Sequence, residues 1–329
     1  NLVSGIASKV AFKAVGKDGK GIDLTGAGID QKNDTVARFK SLKFGMGSFS
    51  FTPAAGNTYR AAIRVDNSSP VIKELPAVNS QGYVMALTDN GSNQLQVTVT
   101  SNRQSPDGSV YLFAHTNQVV KSASRASQVN GVANFTIDKS ALGDGISHIT
   151  IFDGDKHPVC ERLYFKRPAK NMAIEAAADK SNYGGRKKVS VSVMAKDQSG
   201  KPLNANLSMS VYRLDNYQTA PEGDIASYFW LGSDLRGNIE SPEYYIKNNT
   251  NEANEAADNL MLTQGWRKFQ WSDVLKNKTP SFTYLPEYNG HLITGKMVNT
   301  ITNAPASDIV AYIGVPGRRV QLFTSRSDT

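Results

Sequence analysis

The residues best placed to do chemistry lie in "FDGDKHPVCERLYF", where His157 and the single cysteine, Cys160, stand three positions apart. A thiol becomes a nucleophile only when a base sits within hydrogen-bond reach to hold it as thiolate. The same stretch reads as a hairpin whose turn is "DGDKHP". That places Cys160 at the start of the returning strand, as a small core or near-surface residue. Asp153 and Asp155 flank Gly154 like a fragment of a calcium loop, but the later ligands do not follow in order, so turn-forming Asp is the better account. His115, His148, His157 and His291 show no HExxH or paired-ligand spacing, and one cysteine excludes an internal disulfide or a Cys-cluster zinc site. "LTGAGID" at 24–30 lacks the GxGxxG spacing and a following helix, so it reads as a loop or bulge rather than a phosphate cradle. No metal, cofactor or catalytic residue is expected.

Aromatic residues are the other candidates. Tyr228, Phe229, Trp230, Tyr244, Tyr245, Trp266, Phe269 and Trp271 crowd into one region and support two readings: an exposed recognition surface, or a packed junction between domains. The second is favoured, with Trp230, Tyr244, Tyr245, Trp266, Phe269 and Trp271 as interdomain clamp or interaction residues. The 37 Lys+Arg against 29 Asp+Glu give a net charge of +8, but the positive residues are scattered. The densest clusters, "GRKK" at 185–188 and "GRR" at 317–319, are short and not interleaved with aromatics, so nucleic acid is not the expected partner. No apolar run approaches a membrane span. A chain that opens on "NLVSGIASKV" without Met is expected to be a processed or trimmed piece.

The elements that must position these residues are strands. Apolar residues alternate with polar ones in "KVAFKAV" (Val10, Phe12), "SFSF" (Phe49, Phe51), "YRAAIRV" (Tyr59, Ala61, Ile63, Val65) and "QLQVTVT" (Leu95, Val97, Val99). "KVSVSVMA" (Val189, Val191, Val193, Ala195) and "NLSMSVY" (Leu207, Met209, Val211) repeat the pattern, which is the period of half-buried strands. Turns at 17–21, 105–109, 152–155 and 197–202 separate the runs. Segments 10–26, 189–211 and 293–313 share a strand–turn–strand plan, a weak internal repeat. The sequence therefore predicts an all-β chain of tandem immunoglobulin- or macroglobulin-like antiparallel β-sandwiches.

Boundaries are expected where this pattern yields to Pro and polar residues. They divide the chain into sandwiches at 1–72 (its N-terminal strand left open), 73–168 and 169–289, with a partial β domain at 290–329. The third carries a small helical insertion at about 252–276. In "NEANEAADNLMLTQGWRKF", Asn251 or Asn254 is a candidate cap, Glu252 and Glu255 favour the first turn, and Ala256, Leu260, Thr263 and Trp266 recur at helical spacing. Gly265 ends or bends this helix, and Ser272 is a candidate cap for a second turn, "SDVLK".

"ADKSNYGGRKKVSVSVMAKDQSGKPLNANLSMSVYRLD" resembles the macroglobulin-type domains of the alpha-2-macroglobulin superfamily, with Tyr183, Gly200 and Pro202 at the positions of that pattern. "SYFWLGSDLRGNIESPEYYI" followed by "ADNLMLTQGWRKFQW" resembles a group of Bacteroidetes-type envelope proteins. In that group such domains precede a carboxypeptidase-regulatory-like domain and often a plug domain of the TonB-dependent receptor kind; "HLITGKMVNTITNAPASDIVAYI" resembles the first strands of the regulatory-like domain. The Gly-Cys-Gly-Glu-Gln motif of thioester-bearing members is absent, so covalent trapping is not implied.

The resemblance implies a non-enzymatic scaffold or interaction segment of a bacterial cell-envelope protein, periplasmic or outer-membrane associated, serving an uptake or surface assembly. Its partners would be other domains of the same polypeptide or other envelope proteins. Two alternatives are a protease-interacting module with a bait loop at 214–224 or 247–259, and a carbohydrate-binding module, which would need exposed aromatics in one plane. The stretch "NLMLTQGWRKFQW" is expected to lock the third sandwich to the chain beginning near 291.

Overall fold

The computed structural model describes residues 2–66, 69–103, 108–169, 172–197, 199–209, 211, 224–265, 271–276, 295–315 and 321–328. The chain divides into two compact units, Asn1–Trp271 and Ser272–Thr329. In the first, β1 (Leu2–Val3) pairs in parallel with β8 (Val78–Asn79). β2 (Ser8–Lys13) pairs with β5 (Met46–Phe51), and β3 (Thr25–Asp30), β4 (Thr35–Lys40), β6 (Tyr59–Arg64) and β7 (Val71–Glu74) form an antiparallel sheet in the order β4-β3-β6-β7.

The alternating residues of these strands meet in an aromatic core. Phe39 stacks on Phe49 at 4.6 Å between ring centroids, and Phe51 meets Tyr59 edge-on at 4.9 Å. "LTGAGID" is mostly strand β3 rather than a loop, with a register shift between Gly28 and Ile29. Its glycines serve packing: a Cβ on Gly26 would lie 2.5 Å from the Phe39 ring. Glycine weakens a strand in general, and here it admits a large ring on the facing strand.

The second sandwich joins β9 (Tyr83–Asp89), β10 (Gln94–Ser101) and β13 (Val132–Asp138) in one sheet to β11 (Ser109–Thr116), β12 (Val119–Ser127), β14 (Gly145–Phe152) and β15 (Pro158–Lys166) in the other. Leu95, Val97 and Val99 are fully buried between the sheets with Leu112, Ile149 and Ile151. Strand β14 departs from simple alternation. All of Gly145–Ile151 is buried, because its outward positions are covered as well.

The predicted third sandwich is represented, among the described residues, by one antiparallel pair, β16 (Ala173–Ala178) with β17 (Val191–Lys196). Of the expected face, Ala195 is buried while Val189, Val191 and Val193 are exposed. Leu207, Met209 and Val211 are exposed and lie outside any strand. Alternation specifies which side chains share a face but not what covers that face.

Helical structure follows: α1 (Ile225–Ser227) running into a π-helical turn (Tyr228–Gly232), α2 (Pro242–Lys247), α3 (Asn251–Gln264) and α4 (Trp271–Leu275). The second unit contains the antiparallel pair β18 (Val310–Val315) and β19 (Gln321–Arg326). The architecture is all-β, built on tandem antiparallel sandwiches with a small helical insertion. Among the described residues no helix is long and apolar enough to cross a membrane.

Candidate functional site

Local chemistry fixes the helical segment. Asp224 accepts a hydrogen bond from the Ser227 amide at 2.8 Å, which caps α1. Pro242 opens α2, where a missing N–H costs nothing. The cap of α3 is Thr250, whose hydroxyl accepts from the Ala253 amide at 3.1 Å. Asn251 and Asn254, the expected caps, lie inside the helix; the β-region backbone of Thr250 is what a capping residue needs. Ser272 likewise lies within α4, which begins at Trp271.

The helix presents small residues on the face it buries. Ala253, Ala256 and Ala257 let its backbone approach closely, and Leu260 and Met261 fill the space beyond. They share one apolar cluster with Met46 of the first sandwich, with Ile146, Leu163 and Phe165 of the second, and with Leu231, Leu235, Tyr245 and Ile246 of the helical segment. One core thus draws on both sandwiches. Full burial of side chains such as Leu260 and Tyr245 contributes about 1.5–3 kcal/mol each.

Polar contacts follow the same division. Asp258 of α3 accepts from Lys9 of β2 at 2.7 Å and from Arg162 of β15 at 2.5 Å. On the first sandwich, Glu240 accepts the Gly21 amide at 2.7 Å, Lys13 donates to the Asn238 carbonyl at 3.2 Å, and Lys43 pairs with Glu252 at 3.2 Å. On the second, Arg167 donates through Nε to the Tyr245 carbonyl at 2.8 Å and also to the Asn254 side chain. Burial lowers the Lys13 pKa against the opposing charge of Glu240. Hydrogen bonds from Tyr244 and Lys43 hold the Glu252 carboxyl below its usual range.

The aromatic candidates do not form one surface. Trp230 lies over Gly145, where a Cβ would meet its ring at 3.0 Å. Tyr244 is edge-on to Phe44 at 5.4 Å and donates its hydroxyl to Glu252 at 3.0 Å. Tyr245 is fully buried. Trp271 covers the outer face of β11 and β14: it donates Nε1 to Thr150 at 3.2 Å and stands edge-on to Phe113 and Phe152 at 5.7 and 5.1 Å. Trp266 and Phe269 lie outside the described residues. The described parts of "NLMLTQGWRKFQW" pack on the first and second sandwiches.

Sequence reasoning missed Asp258, Met46, Ile146, Leu163 and Phe165. The available signal was the apolar residues at outward positions of β14 and β15, which a strand with one wet face would not carry. It also missed a stacked imidazole pair, His115 over His148 at 4.8 Å, beneath Trp271.

The nucleophile candidate has the wrong environment. Cys160 donates to the Tyr83 carbonyl at 3.3 Å, and burial pushes its thiol up to about 12, away from thiolate. His157 is exposed and turned toward Asp153 at 3.6 Å. Asp153, Asp155 and His157 do gather their ligand atoms within 4.8 Å. Yet Asp153 Oδ1 already accepts the amides of Asp155 and His157 at 3.1 and 2.8 Å, the hydrogen bonds of a turn.

Of the two bait candidates, 247–259 is largely the first half of α3, with Ala253, Ala256 and Ala257 buried, so a protease would have to unwind a packed helix. Residues 214–223 lie outside the described residues. The exposed pair Tyr228 and Phe229 meet at 70°, which gives no common plane for a sugar.

No protein-family model matches the chain, and no curated protein matches it. Among solved structures it is similar to a biofilm-associated protein BSP domain, at 17% identity and TM-score 0.28 over 51% of this chain and 29% of that one. It is similar to a tetra-tandem repeat in the extending region of a large adhesion protein, at 13% identity and TM-score 0.25 over 61% and 62%. A third likeness is to native E. coli alpha-2-macroglobulin, at 10% identity and TM-score 0.21 over 61% and 16%. The chain spans less than two thirds of the length of each.

Proposed function

We propose that this chain is a non-enzymatic scaffold and interaction segment of a bacterial cell-envelope protein, in which the helical segment clamps the first two sandwiches into one rigid piece. The observation that supports it is the core shared by Met46, Leu163, Phe165, Tyr245 and Leu260, with Asp258 held by a cation from each sandwich. Buried apolar packing between domains resists hinge motion, whereas small polar contacts permit it. Trp230, Tyr244, Tyr245 and Trp271 belong to the clamp on this reading, and Trp266 and Phe269 are proposed to join them. The finer assignment is a macroglobulin-like array with boundaries at 72, 168 and 289, followed by a regulatory-like domain and serving an outer-membrane assembly.

Small-angle scattering on the intact chain tests the clamp. Charge placed in the shared core by Leu260→Asp should increase the radius of gyration while the far-ultraviolet circular dichroism of the strands persists. An unchanged radius in a variant whose α3 has come loose would remove the clamp. Recovery of the protein in the cytosolic fraction of the cells that make it would remove the envelope assignment.

A further inference from the structure

The outer face of the first sandwich carries a feature that the clamp does not use. In the β4-β3-β6 sheet, Phe39, Tyr59 and Ala61 point into the core. Alternation therefore sets Arg38, Lys40, Arg64 and the small residues Ala27 and Ala62 on the opposite face. The register joins them in rows: Lys40 and Arg64 both flank Thr25, and Arg38 and Ala62 both flank Ala27. These residues line an open trough of about 700 Å³, floored by Thr25, Ala27 and Ala62 and rimmed by the three cations.

None of Arg38, Lys40 and Arg64 makes a side-chain hydrogen bond or ion pair among the described residues. Three acids lie nearby. Among the described residues, Glu255 of α3 is the one acid that lines the trough, Asp23 accepts from the Ser41 hydroxyl at 3.0 Å, and Glu74 stands opposite Arg60 on β7. Unpaired like charges around a concave floor focus a positive potential there.

We propose that this trough docks an extended acidic peptide segment whose carboxylates, at every second residue, pair with Arg38 and Lys40 along β4 while Arg64 adds positive charge across the trough. The spacing fits. Residues two apart on a strand are about 6.8 Å apart, which separates Arg38 from Lys40 and equally the like-facing side chains of an extended peptide. Lys40 and Arg64 both flank Thr25 and stand about 10 Å apart across the strands, so Arg64 attracts a peptide lying along β4 from the opposite side of the trough. The aromatic residue that lines the trough, Phe39, is buried in the core, so it offers no open face for a base to stack on, and a planar bilayer would meet the rim rather than the floor. A peptide in an open trough keeps its backbone in water, so docking leaves no polar group stranded.

The inference rests on the interaction part of the proposed function; the clamp helix contributes only Glu255 to this trough, and the scattering test of the clamp does not read the three cations. The test is fluorescence anisotropy of a labelled peptide of alternating Asp and Ser, titrated with the intact chain at an ionic strength of about 0.01 M, where the Debye length is about 30 Å. The peptide should bind, and the combined substitution Arg38→Glu, Lys40→Glu, Arg64→Glu should weaken it about tenfold or more, since three attractions become repulsions. The three positions are exposed, so circular dichroism should not change. A peptide with the same number of Asp grouped in one block should bind more weakly. Equal binding by the substituted chain overturns the proposal, as does a polyuronate or an anionic vesicle that binds where the alternating peptide does not.

Discussion

Replacing Asp258 by alanine removes one carboxylate from two cations, and the structure says which of the two will matter. Lys9 is 37% exposed and Asp258 32% exposed, so water screens their pairing and a solvated pair contributes about 0.2–1 kcal/mol. Arg162 is only 12% exposed, and its Nε has no hydrogen-bond partner among the described residues. A charged hydrogen bond at such a site contributes about 1.5–3 kcal/mol, and its loss leaves a guanidinium largely out of water. Asp258→Ala should therefore loosen α3 by roughly 2–3 kcal/mol, mostly through Arg162. The assay is native-state hydrogen exchange of the α3 amides, because a multi-unit chain has no single unfolding free energy and local opening is what the clamp controls. A double-mutant cycle separates the terms: coupling to Arg162→Ala of about 1.5 kcal/mol or more, and to Lys9→Ala below about 1 kcal/mol. Unchanged protection of α3, or a larger coupling to Lys9 than to Arg162, would refute the reasoning.

Two further outcomes follow from buried polar groups. The Tyr245 hydroxyl is buried without a hydrogen-bond partner among the described residues, so Tyr245→Phe should be neutral or stabilising by about 1 kcal/mol, whereas Tyr245→Ala should cost about 3–5 kcal/mol in the same exchange measurement; a clear loss of protection in Tyr245→Phe would mean the hydroxyl has a partner. Burial, and then the charge of His148, lower the His115 pKa, with Glu161 and Asp234 opposing. A folded-state value below the unfolded one of about 6.5 means the stabilising contribution is complete above that pH and is lost as pH falls from there toward the lowered value. Thermal melting should decline over that window and decline less in His115→Gln; an identical pH profile in the variant would sink the assignment.

Much of the fold was legible because strand period is a local property. Leu95, Val97 and Val99, or Phe49 and Phe51, announce an inward face within a few residues, and their burial follows. The helix over 251–264 was legible for the same reason, down to Ala256 and Leu260 on one face. Its cap was not, because Thr250, Asn251 and Asn254 are all competent and only the backbone bend selects one.

What covers a second face is decided elsewhere in the chain. Ile146, Leu163 and Phe165 look like stray apolar residues on wet faces until the helical segment, some 80 residues later, closes over them. Asp258 reads as one more acid on a polar helix; tertiary structure alone places it between Lys9 and Arg162, residues 249 and 96 positions away. The sequence by itself determined the strands of the first two sandwiches and their inward faces, because each depends on near neighbours. The tertiary structure decided which surfaces the helix and its tryptophan join, since contact between distant segments depends on shape and burial that no local period encodes.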